Sequence, residues 1–556
     1  MANPTPPSAN TKAELRLTGL GVAPGIAIGT VFLLASIHPG TATRRLMPHE
    51  LRAELDRFHN AMMLAHAELD ASMRNTVGLP ANAAEEINRL LEAHKAMLEG
   101  TRLIRGVEAR IEKNLINAEA ALEAEVDALC HSFAVMEDSY MAARGADVRA
   151  VGAMLLSFLL QNPARTLAEA PKGSVILGDD LTPSDTAALN PKRIAGLATL
   201  AGGAEGHTAI MARSLRLPAV TGISTLLDQV NDGDTVILDG REGLVILHPT
   251  ADTLRYYQQL RTRIHKQRAE LAQLARQSAR TTGGIKVKLL ANLELPSEVE
   301  SAVAAGADGI GLLRSEFMFM NRKTLPSENE QYAALKKVVE GMKGKPVTIR
   351  TLDIGGEKIA PALSRHYEKS PNPALGLRAI RLSLAEPELL LTQFKACLRA
   401  SKHGPIRILL PMVNDVAEVQ AARALLKQAA TALKLKGKLP PLGVMIETPA
   451  AALCAAELAK VSAFFALGTN DLTQYTLAVD RADEKVAHLF HTMHPAVLQL
   501  IKLTVKAAEK AGIPVCVCGE MAGDARQTAQ LLKLGLRELS MTPSALLTVK
   551  KAIRAL

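Results

Sequence analysis

Residues 442–471 read L-G-V-M-I-E-T-P-A-A-A-L-C-A-A-E-L-A-K-V-S-A-F-F-A-L-G-T-N-D. Two apolar runs, 442–446 and 464–467, flank an Ala- and Leu-rich stretch of helical texture, so the segment reads as strand, helix, strand. Each run gives way to polar residues at its carboxyl end: Glu447 follows the first, and Asn470 and Asp471 follow the second. Outward from this unit the pattern repeats at 406–411, 346–351, 308–313 and 286–291, and on the other side at 515–518 and 538–541. Eight strand-like runs alternating with helical stretches after Gly283-Gly284 are the pattern of a (β/α)₈ barrel over residues 284–556.

In such barrels the chemistry sits at the carboxyl ends of the strands. Arg314 follows the second run, Arg350 ends the third, Glu447 and Asp471 follow the fifth and sixth, and Cys518 ends the seventh. Arg314, Arg350 and Arg378, with Arg481 as a fourth, offer planar forks to a small polyanion such as a phosphate bearing a carboxylate. Glu447 and Asp471 are hard oxygen ligands, and two carboxylates with substrate oxygens and water are how Mg²⁺ is usually held. Arginines and a metal together stabilise charge on a transferring phosphoryl group. A thiol at Cys518, facing a basic pocket, can give or take a proton.

The amino-terminal half has a different texture. Residues 17–34 (L-T-G-L-G-V-A-P-G-I-A-I-G-T-V-F-L-L) combine Gly and Pro with short β-branched runs, and strand-like runs return at 174–177, 194–197 and 235–238. Between them Leu51, Leu55, Phe58, Met62, Ala65 and Leu69 recur every three or four residues, as in an amphipathic helix. The layout expected is α/β multidomain: an α/β domain of residues 1–47 and 161–250, an inserted helical subdomain at 48–160, a polar linker helix at 251–283, and the barrel. In the α/β domain, G-G-A-E-G-H-T-A-I-M-A-R at 202–213 places His207 at the start of a helix, where backbone N–H groups and the dipole favour an incoming phosphate. Imidazole is a competent nucleophile for phosphoryl transfer near neutral pH.

Composition narrows the class. The 556 residues carry a net charge of +9, but the basic residues are scattered and no nucleic-acid-binding motif accompanies them. No stretch of about 20 apolar residues and no secretory signal occurs, so membrane insertion is not expected and a cytoplasmic location is. Five cysteines without zinc-ligand spacing read as reduced thiols. From Pro48 to Ala150 there are 18 acidic and 11 basic residues, a balance of −7 against +16 for the remainder. That opposite sign, carried by acids such as Glu85, Glu86, Glu123, Glu125 and Asp127, suggests a surface for a basic partner.

These motifs resemble, in order along nearly the whole chain, Enzyme I of the bacterial phosphotransferase system, the phosphoenolpyruvate-protein phosphotransferases. The resemblance rests on A-P-G-I-A-I-G at 23–29, E-A-H at 92–94, the segment around His207, and L-P-A-V-T-G at 217–222. In the barrel it rests on G-L-L-R-S-E-F at 311–317, R-T-L-D-I-G-G-E-K at 350–358, G-L-R-A-I-R at 376–381 and M-I-E-T-P at 445–449. It continues through G-T-N-D-L-T-Q-Y at 468–475, V-D-R at 479–481 and V-C-G-E-M-A-G-D at 517–524.

The resemblance implies a swivelling phosphohistidine domain, with His207 phosphorylated from phosphoenolpyruvate and pyruvate released. It implies phosphoenolpyruvate contacts at Arg314, Arg350, Arg378, Asn470 and Arg481, Mg²⁺ ligands at Glu447 and Asp471, and Cys518 as the acid that protonates the enolate. It also implies docking of the phosphocarrier protein HPr on the helical insert, onward transfer in the sugar phosphotransferase system, and a homodimer through the barrel. The sequence departs from the family at Glu205-Gly206, where Thr-Ser is usual. A transfer-impaired regulatory homologue is therefore one alternative. A pyruvate phosphate dikinase-like enzyme is another, but the insert carries no Gly-rich nucleotide loop.

Overall fold

The computed structural model describes residues 13–34, 42–75, 81–99, 102–134, 139–160, 167–179, 181, 185, 188–203, 207–215, 217–223, 230–320, 324–354, 372–481, 483 and 485–556. The chain divides into two compact units, Met1–Ile264 and His265–Leu556.

In the first unit, β1 (Leu15–Thr18), β2 (Leu20–Ala23) and β3 (Ile26–Leu33) precede five helices, α1 (Leu51–Asn75), α2 (Ala81–Leu98), α3 (Arg102–Asn114), α4 (Ala118–Ala134) and α5 (Ser139–Leu159). The chain then returns through β4 (Ser174–Gly178), β5 (Ile194–Thr199), β6 (Ala219–Thr221), β7 (Thr235–Asp239) and β8 (Leu244–Leu247). These form one eight-stranded sheet in the order β1-β8-β7-β3-β4-β5-β6-β2. The insert is a true insertion, because β3 and β4 on either side of it pair in parallel, Val31 with Val175 and Leu33 with Leu177.

The alternation of apolar residues along these strands feeds two cores. Phe32, Ile176 and Leu197 join Phe58, Leu69, Leu91 and Leu155 of the insert, while Val31, Val175, Leu177, Val236 and Val245 fill a separate apolar cluster. Within the insert, Arg57 of α1 bonds Glu54 and Glu119 at 2.6 Å each, and Glu54 also accepts the backbone N–H of Ala118 at 2.7 Å. This cluster ties α1 to the start of α4. Arg110 likewise holds Glu125 at 2.7 Å, and both acids of these pairs that lie on α4 are buried. Glu125 is thus internal, so of the acids counted in the insert this one does not belong to an outer face.

The second unit is a closed barrel of eight parallel strands. They are β9 (Lys288–Leu293), β10 (Ile310–Arg314), β11 (Val347–Arg350), β12 (Ile406–Leu410), β13 (Leu442–Ile446), β14 (Phe465–Leu467), β15 (Val515–Val517) and β16 (Glu538–Met541). The first strand begins two residues later than the sequence suggests, because Lys286 forms an isolated antiparallel bridge with Arg280 instead. The expected linker helix is likewise shorter: it runs Ala251–Gln273, followed by one 3₁₀ turn at Leu274–Arg276. Inward-pointing Leu290, Leu312, Leu409, Met445, Phe464, Ala466, Cys516 and Cys518 pack as an apolar cluster.

Candidate active site at the barrel mouth

Glu447 is the residue after β13, and Thr448 behind it caps the helix Pro449–Leu453 by accepting the Ala451 N–H at 3.1 Å. The cap fixes the backbone, and the Glu447 carboxylate turns inward to accept the Met412 N–H at 2.5 Å, with only 1% of the residue exposed. Asp471 lies in the first turn of the helix Thr469–Leu477, which follows β14. Between them Gly468 leaves little room for a side chain, since a Cβ there would fall 2.7 Å from Glu447 Oε2 and 2.9 Å from Glu447 Cβ. Burial pushes the Glu447 carboxyl well above its ordinary range, and the charges of Asp471 and Asp353 push it the same way. Two carboxylates that repel each other in a buried place are the donor set that a hard divalent cation relieves, so these residues fit Mg²⁺. Among the described residues, no group of three or more His, Cys, Asp or Glu side chains is arranged to hold a metal, so Glu447 and Asp471 would need substrate oxygens and water to complete the set.

Two of the arginines, Arg350 and Arg378, are arranged around one carboxylate. Asp353, three residues beyond the end of β11, lies 2.8 Å from Arg350 Nη1 and 2.8 Å from Arg378 Nη2. Arg350 also pairs with Glu316 through Nη2 and reaches Met445 Sδ at 3.9 Å. Arg378 lies 3.7 Å from Asp471 and donates to Tyr475 Oη at 3.3 Å, and Arg481 lies 3.8 Å from Asp471. Burial alone would weaken the charged form of Arg350 and Arg378, but the surrounding acids together outweigh it, Asp353 with Glu316 and Glu447 at Arg350 and Asp353 with Asp471 at Arg378, and their pKa values rise. For Asp353 burial is likewise outweighed, by Arg350 and Arg378, and its pKa is lowered.

The structure therefore brings together Arg350, Arg378, Glu447, Asp471 and Arg481. Arg314 ends β10 in register with Arg350 and pairs with Glu294. Asn470 is committed to the β15 loop: its Nδ2 donates to Glu520 Oε1 at 2.9 Å and its Oδ1 accepts the Glu520 N–H at 3.0 Å. Cys518 lies just past the end of β15 rather than in it, and its thiol contacts the Gly311 carbonyl and Cys516 Sγ, each at 3.7 Å. His207 is the first residue of the helix His207–Leu215, after Gly202 (φ 112°) has turned the chain out of β5. Residues 204–206, with the Glu205-Gly206 departure, lie outside the described residues. Sequence reasoning missed Glu316, Asp353 and Tyr475. Glu316 and Asp353 stand two and three residues past strand ends, so the rule that flagged Glu447 could have flagged them too.

Three family models match in order. The PEP-utilising enzyme N-terminal model covers residues 18–144, the mobile-domain model 170–243, and the PEP-binding-domain model 268–556. A mobile domain followed by a PEP-binding barrel defines the class of phosphoenolpyruvate-utilising enzymes. Phosphoenolpyruvate-protein phosphotransferase from Cupriavidus necator is 42% identical over 551 residues, covering 97% of this chain and 94% of its own length. The protein of the same description from Bacillus sp. (strain S) is 40% identical over 98% of this chain and 94% of its own. A solution NMR structure of an Enzyme I protein is 32% identical over 45% of this chain and 99% of that one, with a TM-score of 0.39. The chain belongs to the phosphoenolpyruvate-protein phosphotransferase family.

Proposed function

We propose that this enzyme transfers the phosphoryl group of phosphoenolpyruvate to its own His207 and then to a basic, HPr-like phosphocarrier protein. The observation that carries the reading is the convergence of Arg350, Arg378 and Arg481 on Asp353 and Asp471 at the carboxyl ends of the barrel strands, beside buried Glu447. In this reading the guanidinium forks, with Arg314, hold the phosphate and carboxylate oxygens, and Asn470 contributes a further polar contact. Glu447 and Asp471 hold Mg²⁺, which neutralises charge on the transferring group when bound. The phosphorus–oxygen bond of phosphoenolpyruvate breaks as a phosphorus–nitrogen bond forms at the His207 imidazole. The enolate left behind takes a proton at its methylene carbon from the Cys518 thiol and leaves as pyruvate.

The domain reading goes with it: a phosphohistidine domain of residues 1–47 and 161–250, the insert 48–160 as carrier-docking subdomain, 251–283 as linker, and 284–556 as substrate barrel. So do a barrel-mediated homodimer and a cytoplasmic setting. No helix among the described residues is long and apolar enough to cross a membrane. The test is incubation with phosphoenolpyruvate carrying ³²P, with and without chelator. Acid-labile label on the native chain, absent from His207→Ala and lost with EDTA, is expected. Undiminished labelling of His207→Ala would refute the assignment.

A further inference from the structure

We infer that Asp353 is a positioning residue that sets Arg350 and Arg378 as a single two-fork receptor for the substrate anion. The inference rests on the reading that these two arginines bind phosphoenolpyruvate. One carboxylate spans the two side chains, Oδ2 to Arg350 Nη1 and Oδ1 to Arg378 Nη2, each at 2.8 Å, and only 3% of its side chain is exposed. Among the described residues neither oxygen accepts a backbone N–H, and the carboxylate ties the geometry of one guanidinium to that of the other through a rigid planar bridge. Glu316 differs, because among the described residues its ion pair is with Arg350 and does not extend to Arg378.

The other edges of the two forks are uncommitted in part. Arg350 Nε and Arg378 Nε are both buried and have no hydrogen-bond partner among the described residues. Buried donors of that kind are costly unless something completes them. Two buried guanidinium groups without Asp353 would also repel each other and rotate apart. Asp353 thus has its effect before substrate arrives: it counters the repulsion and holds both forks in a fixed mutual orientation, which lowers the cost of organising them on binding.

The experiment measures the Kd for phosphoenolpyruvate by calorimetry, alongside KM and kcat. Asp353→Asn keeps one acceptor oxygen but turns an amide N–H₂ toward the second guanidinium, donor against donor. The expected result is a Kd and KM raised about ten- to hundredfold, with kcat within about threefold of native. Asp353→Glu keeps the counter-charge, and with it the fold, but carries the oxygens one methylene further out. Its melting temperature should stay near native while KM rises. A native KM for Asp353→Glu would overturn the inference.

The decisive readout is the coupling between the two arginines. In the native background the effects of Arg350→Lys and Arg378→Lys on Kd should be non-additive, and in Asp353→Asn they should become additive. Glu316→Gln should leave the coupling as it was. Coupling that survives in Asp353→Asn would overturn the positioning role. If neither Arg→Lys change alters Kd at all, the substrate reading of this site fails, and the inference with it.

Discussion

Arg314 and Arg350 are paired positions on the neighbouring strands β10 and β11, yet the side chain of the first is 46% exposed and that of the second 11%. Their counterions follow suit, an exposed Glu294 for Arg314 and buried Glu316 and Asp353 for Arg350. Exposed ion pairs contribute about 0–1 kcal/mol, whereas removing one partner of a buried pair costs roughly 3–5 kcal/mol. Arg314→Ala should therefore melt within a few degrees of native while weakening phosphoenolpyruvate binding. Arg350→Ala should lose both stability and labelling. Thermal melts run beside labelling assays separate the two, and equal destabilisation by both variants would contradict this account.

In the insert, burial acts to raise the Glu119 pKa, but Arg57 and Asn117 outweigh it and hold the carboxyl below its ordinary value. A depressed carboxylate contributes stability above its unfolded pKa and loses it as pH falls through the folded one. Arg57→Ala should reverse the sign. Glu119 would then be a buried carboxylate without a counter-charge, left with only the Asn117 amide and its own backbone N–H against burial, so its pKa should rise and the variant should regain stability on acidification from pH 7 toward 5. The cost at pH 7 should be about 2–3 kcal/mol, the low side for a buried pair because the outer edge of Arg57 reaches solvent. Urea unfolding at the two pH values measures it. A variant that weakens in parallel with native protein on acidification would exclude the argument.

Carrier docking should depend on acids that reach solvent. Glu112 and Asp127 are exposed, Glu123 is half-buried, and Glu125 is spent on Arg110 inside the bundle. Reversing Glu112, Glu123 and Asp127 together should slow association with a basic HPr-like protein and flatten its salt dependence, since screening acts over about 8–10 Å. Stopped-flow association at several ionic strengths is the measurement. Indifference of the rate to both salt and reversal would rule out this surface.

Cys518 and Cys516 lie 3.7 Å apart at the sulfur atoms, but only Cys518 stands past the strand end. Cys518→Ala should slow turnover and leave the Kd for phosphoenolpyruvate nearly unchanged, because only the proton transfer is lost. Cys516→Ala, one inward position deeper, should leave turnover close to native. Single-turnover pyruvate release compares them, and equal slowing by both would point to packing rather than acid chemistry.

The barrel was legible because its strands are apolar runs that end on charge. Leu442–Ile446 and Glu538–Met541 match the sequence reading residue for residue. Lys286 and Val287 look like strand but fold back on Arg280 and Ala279, a choice made by non-local pairing that a local pattern does not contain. The site was half legible for a related reason. Cations at strand ends announce an anion site, but Glu316 and Asp353 show that a charged residue in the same position can serve another side chain instead of the substrate. Composition gives the sign of a group and not its partner. The −7 balance of the insert has the same defect, since it counts Glu54, Glu119 and Glu125, which are internal.

The parallel pairing of β3 with β4 across the helical insert has a kinetic consequence. During synthesis β3 emerges early and has no neighbour on that edge until the whole insert has followed it. Closing a flexible loop of such length carries an entropic cost that grows with the logarithm of its length. A bundle of sequence-adjacent helices forms quickly and brings its own two ends together. The central sheet is thus expected to nucleate on a finished bundle, and lesions in the Arg57 cluster should appear first as slow refolding of the sheet and aggregation through the waiting edge of β3.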